Sequence, residues 1–112
     1  MSGEARMKTD VMALMAELKA GLQALYGERL KGVYLFGSYA RGEADEESDV
    51  DVLVVLDRVD RYSEELDRTS ELISTLSLER GVSISRVFAS ERQWRDEQTM
   101  FFLNVREEAV PA

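Results

Sequence analysis

Apolar residues recur at helical spacing near the start of the chain: Met7, Val11, Leu14, Met15, Leu18, Leu22 and Leu25. Steps of three and four place them on one face and predict an amphipathic helix from Met7 to Tyr26, stopped at Gly27. The stretch "GVYLFG", Gly32 to Gly37, then predicts a short buried strand. Ser38 to Gly42 can start a short helix, and Gly42 to Ser48 is a polar loop. "DVDVLVVL", Asp49 to Leu56, is the strongest strand pattern. Its second half is continuously apolar, as expected of a strand covered on both faces. Tyr62 to Arg80 carries Leu66, Ile73 and Leu76 at helical spacing, and Gly81 closes it. "VSISRVFA", Val82 to Ala89, predicts a third strand. Ser90 suits the N-cap of a turn reaching Trp94, and Thr99 to Glu108 predicts a last helix. Pro111 follows near the end.

Helix, strand, strand, helix, strand, helix is the order of an α/β (α+β) domain built on a small sheet. The 112 residues suit a single domain, expected over 1–112. The one proline lies at the end, so no interior boundary is expected. No repeat, linker or low-complexity segment interrupts the pattern.

Composition narrows the chemistry. The chain has no cysteine and no histidine. Disulfides, thiolate metal sites, imidazole ligands and the commonest general base are therefore excluded. A metal here must be held by oxygen, which points to magnesium or manganese. The net charge is −8, with no dense basic run, so direct binding of nucleic acid is not expected. No apolar stretch approaches the length that spans a bilayer. The polar start, Met1 to Arg6, has no signal-peptide character, and a cytoplasmic location is the default expectation.

The run "GSYARGEADEESDVDVLV", Gly37 to Val54, holds the candidate chemistry. Six carboxylates fall in the nine residues from Glu43 to Asp51. Asp49 and Asp51 stand two apart on a strand, so both point to one face. Two carboxylates so placed repel, and a divalent cation between them removes that cost. Gly37 and Ser38 follow a strand and open a helical turn. Glycine allows close backbone approach, free N–H groups face an anion, and the serine hydroxyl adds a donor. One half of the run would hold phosphates, the other the metal that bridges them. Arg41 either reaches a phosphate or pairs with Asp45 or a neighbour to fix the loop. Glu43, Asp45, Glu46 and Glu47 read as a solvated loop rather than as ligands.

Gly37-Ser38, ten residues, then Asp49-Val50-Asp51 resembles the G-S-x10-D-x-D signature of the DNA polymerase beta-like nucleotidyltransferase superfamily. The fuller pattern, "GSYARG" followed by "SDVDVLV", is similar to the minimal nucleotidyltransferases (MNT proteins), and the tail "FFLNVREEAV" resembles an ending found in one branch of them. The resemblance implies a polymerase-beta-type domain with a small mixed sheet flanked by helices. It implies transfer of a nucleoside monophosphate from an NTP, ATP being the expected donor, to a hydroxyl. On that pattern Gly37, Ser38 and Arg41 face the triphosphate, and Asp49 and Asp51 are the catalytic and metal-holding pair.

The pattern breaks in one place. Active members carry a third carboxylate on a later strand, and here that position falls at Ser85 or Arg86, neither acidic. Strand alternation puts Ser85 with Ser83 and Val87, and Arg86 with Ile84 and Phe88, and leaves open which set faces the site. Two readings follow: a nucleotidyltransferase lacking its general base, or a non-catalytic nucleotide- or partner-binding antitoxin or regulator. The resemblance also implies a partner, since many MNT proteins accompany a small helical HEPN protein as a toxin–antitoxin pair. A chain of this length leaves little room for an acceptor-binding domain, which disfavours a stand-alone transferase acting on small molecules. Trp94, Met100, Phe101, Phe102, Leu103 and Val105 either close the core or form an interface with a HEPN chain or a second copy.

Overall fold

The structure is a computed structural model that describes the backbone from Gly3 to Ala112 and the side chains from Asp10 onward. Met1, Ser2 and the side chain of Met7 lie outside the described residues. Helix α1 spans Gly3–Tyr26 and passes through a 3-10 turn, Gly27–Arg29, into strand β1, Leu30–Phe36. The four-residue helix α2, Ser38–Arg41, and an acidic loop lead to β2, Val50–Leu56. Helix α3, Tyr62–Arg80, crosses over to β3, Ile84–Ser90. Helices α4, Glu91–Asp96, and α5, Met100–Glu108, precede a two-residue strand β4, Val110–Pro111.

The sheet runs β3-β2-β1-β4. β1 is antiparallel to β2 and to β4, whereas β2 and β3 are parallel. A parallel pair needs a crossover, and α3 supplies it. The mixed sheet flanked by helices is the architecture expected from the sequence.

Strand β2 explains the two-layer packing. Val50, Val52, Val54 and Leu56 face α1 and α3, in a core with Leu14, Met15, Leu18, Leu22, Ile73 and Leu76. Leu53 and Val55 face the other way, against Ala89, Phe102 and Val105. Burial on both sides accounts for the apolar run "VLVVL". Full burial of one such side chain contributes about 1.5–3 kcal/mol, so the centre of β2 is held firmly and its polar first residues mark where that core ends.

Several boundaries differ from expectation. Leu25 is exposed, and Tyr26 takes its place in the core, where its hydroxyl donates to Glu65 of α3 at 2.7 Å. β1 begins two residues earlier than expected, with a register shift between Leu30 and Gly32. β3 starts at Ile84, so Val82 and Ser83 belong to the approach. Ser90 does cap α4, in a reciprocal capping box with Gln93, and α4 runs past Trp94 to Asp96. Thr99 is the N-cap of α5 rather than its first residue. β4 was not anticipated: Val110 and Pro111 pair with Leu35 and Tyr34 on the open side of β1. Proline is tolerated there because an edge strand can leave one donor unmade. Among the described residues no helix is long and apolar enough to cross a membrane.

Candidate functional site

Phe36, the last residue of β1, is the antiparallel partner of Asp51 at the head of β2. The turn after β1 therefore stands beside the acidic start of β2. Gly37 adopts φ +77°, in the region that favours glycine. A Cβ at that position would overlap the Asp51 carboxylate. Two demands, backbone angle and clearance, thus coincide on this one residue. Arg41 N–H closes the following turn onto the Gly37 carbonyl at 3.1 Å, and Glu43 N–H bonds the Ser38 carbonyl at 2.8 Å. Gly42, at φ +74°, ends the turn.

Asp51 is half-buried, whereas Asp49 is exposed and lies just before β2. Burial raises the Asp51 carboxyl above its ordinary value; the charge of Asp49 adds to this, Arg41 opposes it, and Glu108 raises it further. Asp49 is thus close enough to disfavour the charge of Asp51, which is the condition a cation relieves. Among the described residues no group of three or more acidic side chains could hold a metal together. A cation at Asp49 and Asp51 would complete its shell from phosphate oxygens and water, a common arrangement for magnesium.

The acidic loop is organised by its own side chains. Asp45 accepts from the Glu47 N–H at 2.9 Å and from the Ser48 hydroxyl at 3.2 Å. Arg41 does not pair with Asp45. Its guanidinium donates to Glu43 at 3.2 Å and to both carboxylate oxygens of Glu108, at 3.1 and 3.3 Å. These bonds, the one to Glu43 foremost, raise the Arg41 pKa further.

The pairing of β2 with β3 separates Ser85 from Arg86. Ser85 is the parallel partner of Asp51, so the two share a face. Arg86 points the opposite way: it donates to Thr69 Oγ1 and to the Leu66 carbonyl of α3, each at 2.7 Å. Arg86 therefore braces α3 on β3 and takes no part in the site.

A cleft of about 360 Å³ opens over the turn after β1 and the Asp51 carboxylate, large enough for a small ligand. Phe36, Gly37, Ser38, Arg41 and Asp51 form one side. Phe101, Asn104 and Glu108 of α5 form the other. Glu108 accepts a hydrogen bond from the Gly37 N–H. The sequence signalled none of these three α5 residues as site residues. Of the apolar tail, Phe102 and Val105 are buried, and Trp94 stacks at 4.7 Å on Tyr34. Met100, Phe101 and Leu103 stay exposed. The tail closes the core with part of its bulk and leaves the rest on the surface.

The family model for the nucleotidyltransferase domain matches residues 15–104. A Methanocaldococcus jannaschii protein provisionally named a protein adenylyltransferase is 40% identical over 93 residues, which is 82% of this chain and 87% of that protein. The solved structure of a protein described provisionally as a minimal nucleotidyltransferase superposes with a TM-score of 0.58 at 31% identity, covering 90% of this chain and 94% of the other. A chain of a toxin–antitoxin crystal structure with AMP-PNP superposes at a TM-score of 0.57 over 93% of this chain and 70% of that one; at 21% identity this shows a shared fold.

Proposed function

This chain belongs to the nucleotidyltransferase domain family, and from that premise we propose that it moves AMP from ATP to a hydroxyl on a partner protein. In that reaction the acceptor oxygen bonds to the α-phosphorus, the bond to the bridging oxygen breaks, and pyrophosphate leaves. The observation that carries the reading is the contact between Gly37 and Asp51 across adjacent strand ends. It supports a reading in which the turn takes phosphate oxygens beside the Asp51 carboxylate in one cleft.

The roles divide by position. The Gly37 N–H and the Ser38 hydroxyl are donors to the phosphate oxygens, and the Arg41 guanidinium offsets their charge. Magnesium or manganese at Asp49 and Asp51 would neutralise charge on the triphosphate. Phosphoryl chemistry depends mostly on such positioning and neutralisation, which these few groups supply. Ser85, beside Asp51, is not a base at neutral pH. The absence of a general base there costs about 10²–10⁴-fold, which makes this a slow transferase. The relatives' names supply the protein acceptor, and the toxin–antitoxin neighbour supports a partner chain, read here as a helical HEPN-type protein in the cytoplasm.

The second reading is a nucleotide-binding antitoxin that does not turn over. The Ser85–Asp51 register favours it, because a hydroxyl stands where a third carboxylate would complete the site. One experiment separates the two: ATP labelled at the α-phosphorus is incubated with the chain, magnesium and a candidate HEPN protein. Label on the partner, lost with Asp49→Asn and Asp51→Asn, supports transfer. Nucleotide binding without label supports the second reading, and binding of no nucleotide refutes both.

A further inference from the structure

The placement of Glu108 is unfavourable on two counts. Its carboxylate lies at the C-terminal end of α5, where the helix dipole disfavours a negative charge. It also stands close enough to Asp51 for their charges to repel. What holds it there is the Gly37 N–H and the Arg41 guanidinium, the same two groups assigned above to phosphate. Its side chain is only 20% exposed and its bond from the Gly37 N–H is part-buried, while the Arg41 side of the pair faces solvent. The backbone beneath is pinned: two residues later Val110 pairs with Leu35 of β1, and the Ala112 N–H bonds the Val33 carbonyl at 2.9 Å.

We propose that Glu108 is a tethered substitute for phosphate, occupying the anion-binding end of the cleft until a nucleoside triphosphate displaces it. The inference rests on the nucleotide-binding reading and adds a regulatory step to the same site. A single carboxylate satisfies the donors of Gly37 and Arg41 in the free protein, which otherwise would face a cleft lined by Asp51. A triphosphate carries more charge and more acceptor oxygens, and outcompetes it for both donors. Displacement needs only a side-chain rotation, because the anchored backbone of β4 can stay where it is. Nucleotide affinity is accordingly reduced by the cost of breaking the Glu108 contacts. A partner chain that drew Glu108 away would raise that affinity without touching the nucleotide.

The test is calorimetric titration of AMP-PNP with magnesium into the wild-type chain, Glu108→Gln and Glu108→Ala. Thermal melts on each variant establish that it is folded, and the amide resonance of Gly37 is followed by NMR. Loss of a charge-assisted hydrogen bond predicts about tenfold tighter binding for Glu108→Ala, with Glu108→Gln between it and wild type. The Gly37 amide proton should move upfield in both variants as its acceptor weakens or is lost. Weaker binding by the variants would make Glu108 a ligand of the nucleotide or its cation and overturn the proposal. So would unchanged binding, or a Gly37 resonance that does not move, while leaving the nucleotide-binding reading intact. Binding by none of the three proteins would overturn both.

Discussion

Asp51 and Ser85 stand side by side on the parallel strands β2 and β3, on the same face of the sheet. A carboxylate at position 85 would lie next to Asp51, the place for a third acid that the resemblance in the sequence implies. Ser85→Asp is therefore expected to raise the rate of AMP transfer by at least tenfold, part of the 10²–10⁴-fold that a positioned base contributes. Single-turnover rates with magnesium and a HEPN-type acceptor check this. An unchanged rate would mean that proton removal is not what limits the chain.

The legible parts of this molecule were those carried by long periodic segments and by the Gly37-Ser38 and Asp49/Asp51 spacing. The apolar run of β2 announced its two-sided burial, and Ser90 announced the cap of α4. Alternation alone left Ser85 and Arg86 equivalent. Only the pairing with β2, together with the bonds from Arg86 to α3, assigns them to opposite faces. Glu108 was illegible because its position depends on β4, a strand of two residues with no pattern of its own. Its contact with Gly37 spans 71 positions and joins elements that no local periodicity relates.

Gly37 and Gly42 flank the same helical turn, and both adopt positive φ. Around Gly42 a Cβ meets open space, whereas at Gly37 it meets Asp51. Gly42→Ala is expected to cost about 1 kcal/mol, the backbone penalty alone. Gly37→Ala is expected to cost about 2–3 kcal/mol, because it adds displacement of Asp51 to that penalty. Urea denaturation of the two variants gives the comparison. Nucleotide titration should show Gly37→Ala losing binding and Gly42→Ala retaining it.

Arg86 tests the assignment of faces. It joins β3 to α3 through Thr69, which is fully buried, and through the Leu66 carbonyl. Arg86→Met keeps the apolar stem and removes the donors. A loss of about 1–3 kcal/mol is expected, since the Thr69 hydroxyl and the Leu66 carbonyl each lose a charge-assisted bond and keep only those made within α3. Nucleotide affinity per folded molecule should not change. A selective loss of affinity with stability intact would return Arg86 to the site.

Asp51 should show opposed effects of pH on stability and on cation binding. Burial and the neighbouring charge of Asp49 raise its carboxyl above the ordinary value. Between the unfolded and folded pKa values, the folded state binds more proton than the unfolded one. Stability then falls as pH rises through that window, and the penalty is complete above it. Without divalent cations, Asp51→Asn should therefore melt higher than wild type at pH 7. Because the site is partly solvated, the gain is a few tenths of a kcal/mol, about 2 °C for a domain of this size. The difference should vanish as pH drops below about 4, where the unfolded carboxylate is also protonated. Manganese affinity of the wild type should fall over the same range, because the cation and the proton compete for one carboxylate. Melts in EDTA at pH 7 and pH 4, with manganese titrations alongside, measure both. A variant no more stable than wild type at pH 7 would show that the carboxylates of this cleft are already relieved by solvent, and that the cation is held for its chemistry alone.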